Sequence, residues 1–173
     1  LNALTAGCNQ KNNRDPVLNA TEGEVQAAID RLKPLSFVIE SSGSRVMRYS
    51  QNVARVLRVP SESVALLATL WLRGPQTAAE LRSASERLHR FADISAVEAF
   101  LEELASREEG ALVVELPRLP GSRENRWMHL LSGQPEIETV TPAKSSHSAS
   151  QEIEELKARM AALEADLADM RSR

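Results

Sequence analysis

The strongest constraint on this chain is that it carries one phrase twice. Gly43-Ser44-Arg45-Val46-Met47-Arg48-Tyr49 returns as Gly121-Ser122-Arg123-Glu124-Asn125-Arg126-Trp127, with glycine, serine, both arginines and the closing aromatic in the same order. Internal repetition predicts a fold built from copies of one small unit. It also puts two arginines at equivalent places in each copy.

The surroundings repeat as well. Leu35, Phe37 and Ile39 alternate ahead of the first phrase, and Met47 and Tyr49 alternate within it. Such runs, joined by Ser41-Ser42-Gly43-Ser44, predict a β-hairpin. Leu112, Val114 and Leu116, the Pro120-Gly121 turn and Trp127 predict a second one. Each hairpin follows a helical pattern, Val25, Ala28, Ile29 and Leu32 in one copy and Val97, Phe100, Leu101 and Leu104 in the other. Thr21 and Glu24 carry a capping-box signature for the first of these helices, Pro34 ends it, and Asp93 or Ser95 caps the second. A further helix precedes each: Leu1 to Gln10, and a segment capped by Thr77 and Glu80 that runs to about His89. Only the second copy has an apolar opening helix, from Pro60-Ser61 through Val64, Leu67, Trp71 and Leu72. The two copies together predict another helix ahead of Leu1, or a partner subunit, covering a face left bare in the first.

Three helices followed by a two-stranded hairpin is the winged-helix form of the helix-turn-helix. The expected fold is mainly α with small β-hairpins (α+β). A first module, without its opening helix, spans 1–56 and a second spans 57–131. Residues 132–150 are rich in Ser, Thr, Pro and Gln and predict a flexible linker. Residues 151–173 predict a coiled-coil helix, because Ile153, Leu156, Met160, Leu163, Leu167 and Met170 follow a/d heptad spacing. A parallel homodimer sets Glu152 against Lys157, Arg159 against Glu164 and Asp166 against Arg171, each pair opposite in sign. An antiparallel one sets Lys157 beside Arg171. The alternative is an amphipathic helix folded back on its own domain.

Composition limits the chemistry. Aromatic residues make up 3%, so the cores draw on Leu, Val, Ile and Ala, which suits helices. The single cysteine, Cys8, rules out an internal disulfide and a multi-cysteine zinc site. The longest apolar run, Val64 to Leu72, is too short to cross a bilayer. His89, His129 and His147 share no metal-ligand spacing with another ligand type. No Gly-rich phosphate loop or nucleophile motif is present. The expectation is a cytoplasmic non-enzyme with no catalytic residue, metal or cofactor, and no membrane partner.

Charge is uneven. Net charge is −3, yet residues 1–60 hold eight Lys/Arg against five Asp/Glu, whereas 93–110 hold one Arg against six acids. Gln10, Lys11, Asn12, Asn13 and Arg14 string donors along one loop. Amides of that kind read adenine edges, and the cations hold phosphate or guanine; a polar loop that merely ends a helix reads the same way. Arg45 and Arg123 belong at the hairpin tips, where a wing grips phosphate or enters the minor groove. Arg48 and Arg126 alternate away from Tyr49 and Trp127 and should point off the core. Solvated strand positions are the other reading of these four. The acidic helix over 93–109 opposes DNA and suits a protein partner.

The residues 8–17 (CNQKNNRDPV), 72–82 (LRGPQTAAELR) and 126–130 (RWMHL) resemble the YceH family of bacterial proteins. The resemblance covers roughly 1–131 plus the coiled-coil tail. It implies tandem winged helices in a bacterial cytoplasm, a function not known, and no catalytic or binding residue to carry over. Two functions fit the residues. One is a dimeric DNA-binding regulator using the 10–14 loop and the wing arginines on double-stranded DNA. The other is a protein-interaction scaffold that binds no DNA.

Overall fold

The computed structural model describes residues 1–43, 46–118 and 121–133. The tip residue Arg45, most of the expected linker and the whole 151–173 heptad segment lie outside these.

Element order is α1 (Asn2–Cys8), α2 (Glu22–Leu32), β1 (Val38–Gly43), β2 (Val46–Gln51), α3 (Val53–Leu57), α4 (Ser61–Arg73), α5 (Ala78–Ala84), α6 (Ile94–Ala105), β3 (Val113–Leu116) and β4 (Arg126–His129). The mixture of helices with small antiparallel strand pairs agrees with the α+β expectation. Local signals fix the helix starts. Thr21 and Glu24 close a full capping box on α2, and Thr77 with Glu80 closes another on α5. Asp93 caps α6, its carboxylate accepting from the Ala96 amide at 2.8 Å.

Elements α4 to β4 hold the main core. Leu66, Leu67 and Leu70 of α4 have no exposed surface, and they share a cluster with Leu81, Phe91, Val97, Leu101, Leu104, Val113 and Trp127. Burying a leucine fully stabilises by about 1.5–3 kcal/mol, so α4 is the main source of apolar burial. The earlier elements bury far less: only Val25 and Ile29 in α2, and nothing in α1. A recess of about 390 Å³ lies there, lined by Leu4, Cys8, Leu18, Val25, Ile29 and Tyr49.

Four details depart from the sequence reading. First, α5 stops at Ala84 and does not reach His89, because the buried Ser85 hydroxyl donates to the Leu81 carbonyl at 2.7 Å and the chain turns. Second, Ser36 has φ 61, which breaks the alternation of Leu35, Phe37 and Ile39 before β1 starts. Ile39 then pairs with Ser50 and Glu40 with Tyr49, so Ile39 and Tyr49 point to opposite faces. Third, the fully buried position of β3 is Val113, beside Trp127 and His129, while Leu112 packs against the core only in part and Val114 falls on the other face. Fourth, α3 lies across the expected 56/57 module boundary. Arg107 holds its end, donating to the carbonyls of Leu57 (2.8 Å) and Arg58 (3.3 Å).

The repeat survives at the level of register. The closing aromatic stands opposite a glutamate in both hairpins, Tyr49 across from Glu40 and Trp127 across from Glu115. The second hairpin has a partner that the first does not show: Gln76 exchanges two backbone hydrogen bonds with Trp127, at 2.7 and 3.1 Å.

Candidate functional site

The donor-rich loop begins where α1 ends. Asn9 closes its neck with both ends of one amide: Nδ2 donates to the Ala20 carbonyl (2.8 Å) and Oδ1 accepts from the Ala20 amide (2.7 Å). The middle of the loop is held on the last turn of α4. The Asp15 amide donates to the Leu72 carbonyl at 2.7 Å, satisfying an acceptor that the helix end leaves without a partner. Arg73 donates to the Asn13 side-chain oxygen at 2.9 Å. Arg14 turns inward, donating to the Gly7 carbonyl (2.9 Å) and the Asn13 carbonyl (3.0 Å). Asn13 sits at φ 59, a left-handed conformation that asparagine tolerates.

The five loop residues therefore divide. Asn13 and Arg14 build the loop. Gln10, Lys11 and Asn12 are exposed and have no side-chain hydrogen bond among the described residues.

The four hairpin arginines also divide. Arg48 and Arg123 are exposed. Arg45 lies outside the described residues. Arg126 does alternate away from Trp127, but it is not a loose surface cation. Its Nε donates to the Pro75 carbonyl at 3.1 Å, and its Nη2 donates to the same oxygen. Pro75 follows Gly74, the residue that ends α4 at φ 70. Arg126 thus fastens β4 to the α4–α5 turn.

That turn and the loop after α1 line one recess of about 280 Å³, where Arg14, Arg73 and Arg126 stand with Asn13 and the acids Asp15 and Glu80. A second recess of about 510 Å³ shares Asn13, Arg14 and Arg73 and adds Gln10, Asn12 and Arg87. Arg73 and Gln76 fall in the 72–82 segment that carries the family resemblance, but no site role attaches to them there, and Arg87 has no signal in the sequence. The only signal for Arg73 is its place in the last turn of a helix just before Gly74-Pro75, where a cation is common.

A further set of acidic residues lies on α6 and just after it. Glu98, Glu102 and Glu103 are exposed along α6, and Glu108 and Glu109 follow it. Glu109 is committed, pairing with Arg58 at 2.6 Å and Arg107 at 2.9 Å. Among the described residues no three His, Cys, Asp or Glu side chains gather as a metal site. No described helix is long and apolar enough to cross a membrane.

The sequence profile of the family described as "Protein of unknown function, DUF480" matches residues 1–122. The chain belongs to the DUF480 family. Among relatives, this DUF480 protein is 60% identical over 172 residues to a UPF0502 protein of Dechloromonas aromatica, covering 99% of the chain and 81% of that relative. It is 59% identical to one of Methylibium petroleiphilum, covering 96% and 72%. It is 57% identical to one of Burkholderia pseudomallei, covering 99% and 74%. These are bacterial proteins, and the YceH resemblance is consistent with the DUF480 family.

Proposed function

We propose that the protein is a cytoplasmic, non-enzymatic tandem winged-helix regulator of transcription. It binds double-stranded DNA as a homodimer joined by a parallel coiled coil over 151–173. The observation that carries this reading is the meeting of Arg14 and Arg126, one from each copy, around a recess in which they and Arg73 outnumber its two acids, Asp15 and Glu80. Cations drawn from both modules to one surface suit a continuous phosphate backbone. Gln10, Lys11 and Asn12 stand exposed beside that surface with donors to offer base edges. Arg48 and Arg123 extend the interface as wing residues, whereas Arg126 serves by fixing the wing. The α6 face turns away from phosphate by its charge.

Titration of duplex DNA at increasing salt tests this. Wild-type affinity should fall steeply, and a Lys11→Ala/Arg48→Ala/Arg123→Ala variant should show a flatter slope, by about 0.9 for each phosphate no longer neutralised. No binding at low salt, or identical slopes, would sink the reading.

A second reading has its own support. The exposed glutamates of α6 make that helix a surface for a basic protein partner. On that reading the paired modules hold proteins together, and charge reversal on α6 removes the partner without touching any DNA affinity.

A further inference from the structure

We infer that the larger recess, between the loop after α1, the last turn of α4 and the end of α5, is a binding site for a phosphate group. The inference deepens the reading above and rests on it only where duplex DNA is the source of that phosphate. The chemistry begins with charge. Arg14, Arg73 and Arg87 line one hollow of about 510 Å³. None of the three lies within ion-pair distance of a carboxylate among the described residues. The only acid in the lining, Glu86, is already paired with Arg90 at 3.0 Å. Like charges gathered around a hollow repel one another, and a bound anion removes that cost.

The donors are arranged for an anion with several oxygens. Arg14 and Arg73 commit part of their fork to Gly7 and Asn13, which fixes both guanidinium groups and leaves further N–H groups unused. Arg87 makes no hydrogen bond to any described residue. Asn12 and Ser83 add neutral donors to the rim. A tetrahedral dianion uses more of these donors than a planar carboxylate does, and forked arginines suit it. The volume lies in the usual range of small-ligand sites, so a phosphate carrying an organic group fits as well as a bare ion.

The source is a backbone phosphate of DNA or a free phosphorylated metabolite, and one experiment separates them. The full-length protein is titrated calorimetrically with inorganic pyrophosphate at low salt, alone and with duplex DNA bound. Wild type should bind saturably, one per chain. Arg87→Glu should weaken binding by about tenfold or more, since it removes one charged donor and adds repulsion. Arg55→Glu carries the same charge change on α3, outside the recess lining and away from any described ion pair, and should leave binding within about twofold. Arg87 is exposed in a turn, so its replacement leaves thermal stability unchanged. Displacement of duplex by pyrophosphate assigns the site to the backbone. Binding without displacement, or with no duplex affinity at all, assigns it to a free phosphorylated compound, and in the second case only the DNA reading falls. Absence of saturable binding, or equal binding by Arg87→Glu, overturns the inference.

Discussion

His129 is buried on β4, with its edge toward Trp71 at 6.3 Å between ring centres and no partner for Nδ1. Burial pushes its pKa below the ordinary imidazole value. The folded state therefore prefers the neutral ring, and the unfolded chain takes up the proton first as pH falls through about 6.5. The contribution is complete above that value and is lost as pH falls toward the folded pKa. Urea midpoints measured from about pH 7 to 5 should decline in wild type, and His129→Gln should flatten the decline; a wild-type midpoint constant across that window would refute the assignment. Glu24 acts in a separate, more acidic window. The Thr21 amide and hydroxyl hold its carboxyl below the usual value, so its contribution is present above about 4.5 and fades as pH falls further. What could be read from sequence at this scale followed from distance along the chain. Thr21 with Glu24 and Thr77 with Glu80 are three residues apart, so their capping was legible. Arg126 and Pro75 are 51 apart, and only the folded chain brings them together.

Among elements, the loop after α1 depends most on a single side chain. Asn9 holds Ala20 through two hydrogen bonds and so sets both ends of the 10–19 segment. Asn9→Ala should destabilise by about 1–3 kcal/mol, read as a lower urea midpoint with an unchanged slope. An unchanged midpoint would show that the loop closes without the clamp. The hairpins show a limit of reading elements from pattern. Period-two runs located both strands, but a left-handed Ser36 reset the alternation in one and a half-exposed Leu112–Val114 pair obscured it in the other. In the folded chain a Val-x-Glu, Val38–Glu40 in one strand and Val113–Glu115 in the other, sets each glutamate opposite the repeated aromatic. The one-residue pairing of Gln76 with Trp127 is too short to leave any periodic trace.

At the scale of the whole molecule, the coiled-coil proposal is the one that sets assembly. Light scattering of the full chain should give twice the monomer mass, and Leu156→Glu/Leu163→Glu should return it to one, because charges at two seam positions cannot be buried. Equal masses would remove the dimer. The two hairpins were legible from the doubled phrase, whereas the junction between the first hairpin's half of the chain and the second's was not, since its bonds join residues 60 apart such as Asn13 and Arg73. That junction has a consequence for how the protein responds to its surroundings. The acceptors that join its two sides there are uncharged: the Leu72 carbonyl, which takes the Asp15 amide, and the side chain of Asn13, which takes Arg73. Ionic strength, which weakens the hold of exposed arginines on anions, has little purchase on bonds of this kind. The medium can therefore load and unload the cationic surface while the seam beneath it stays shut, so that occupancy varies and shape does not.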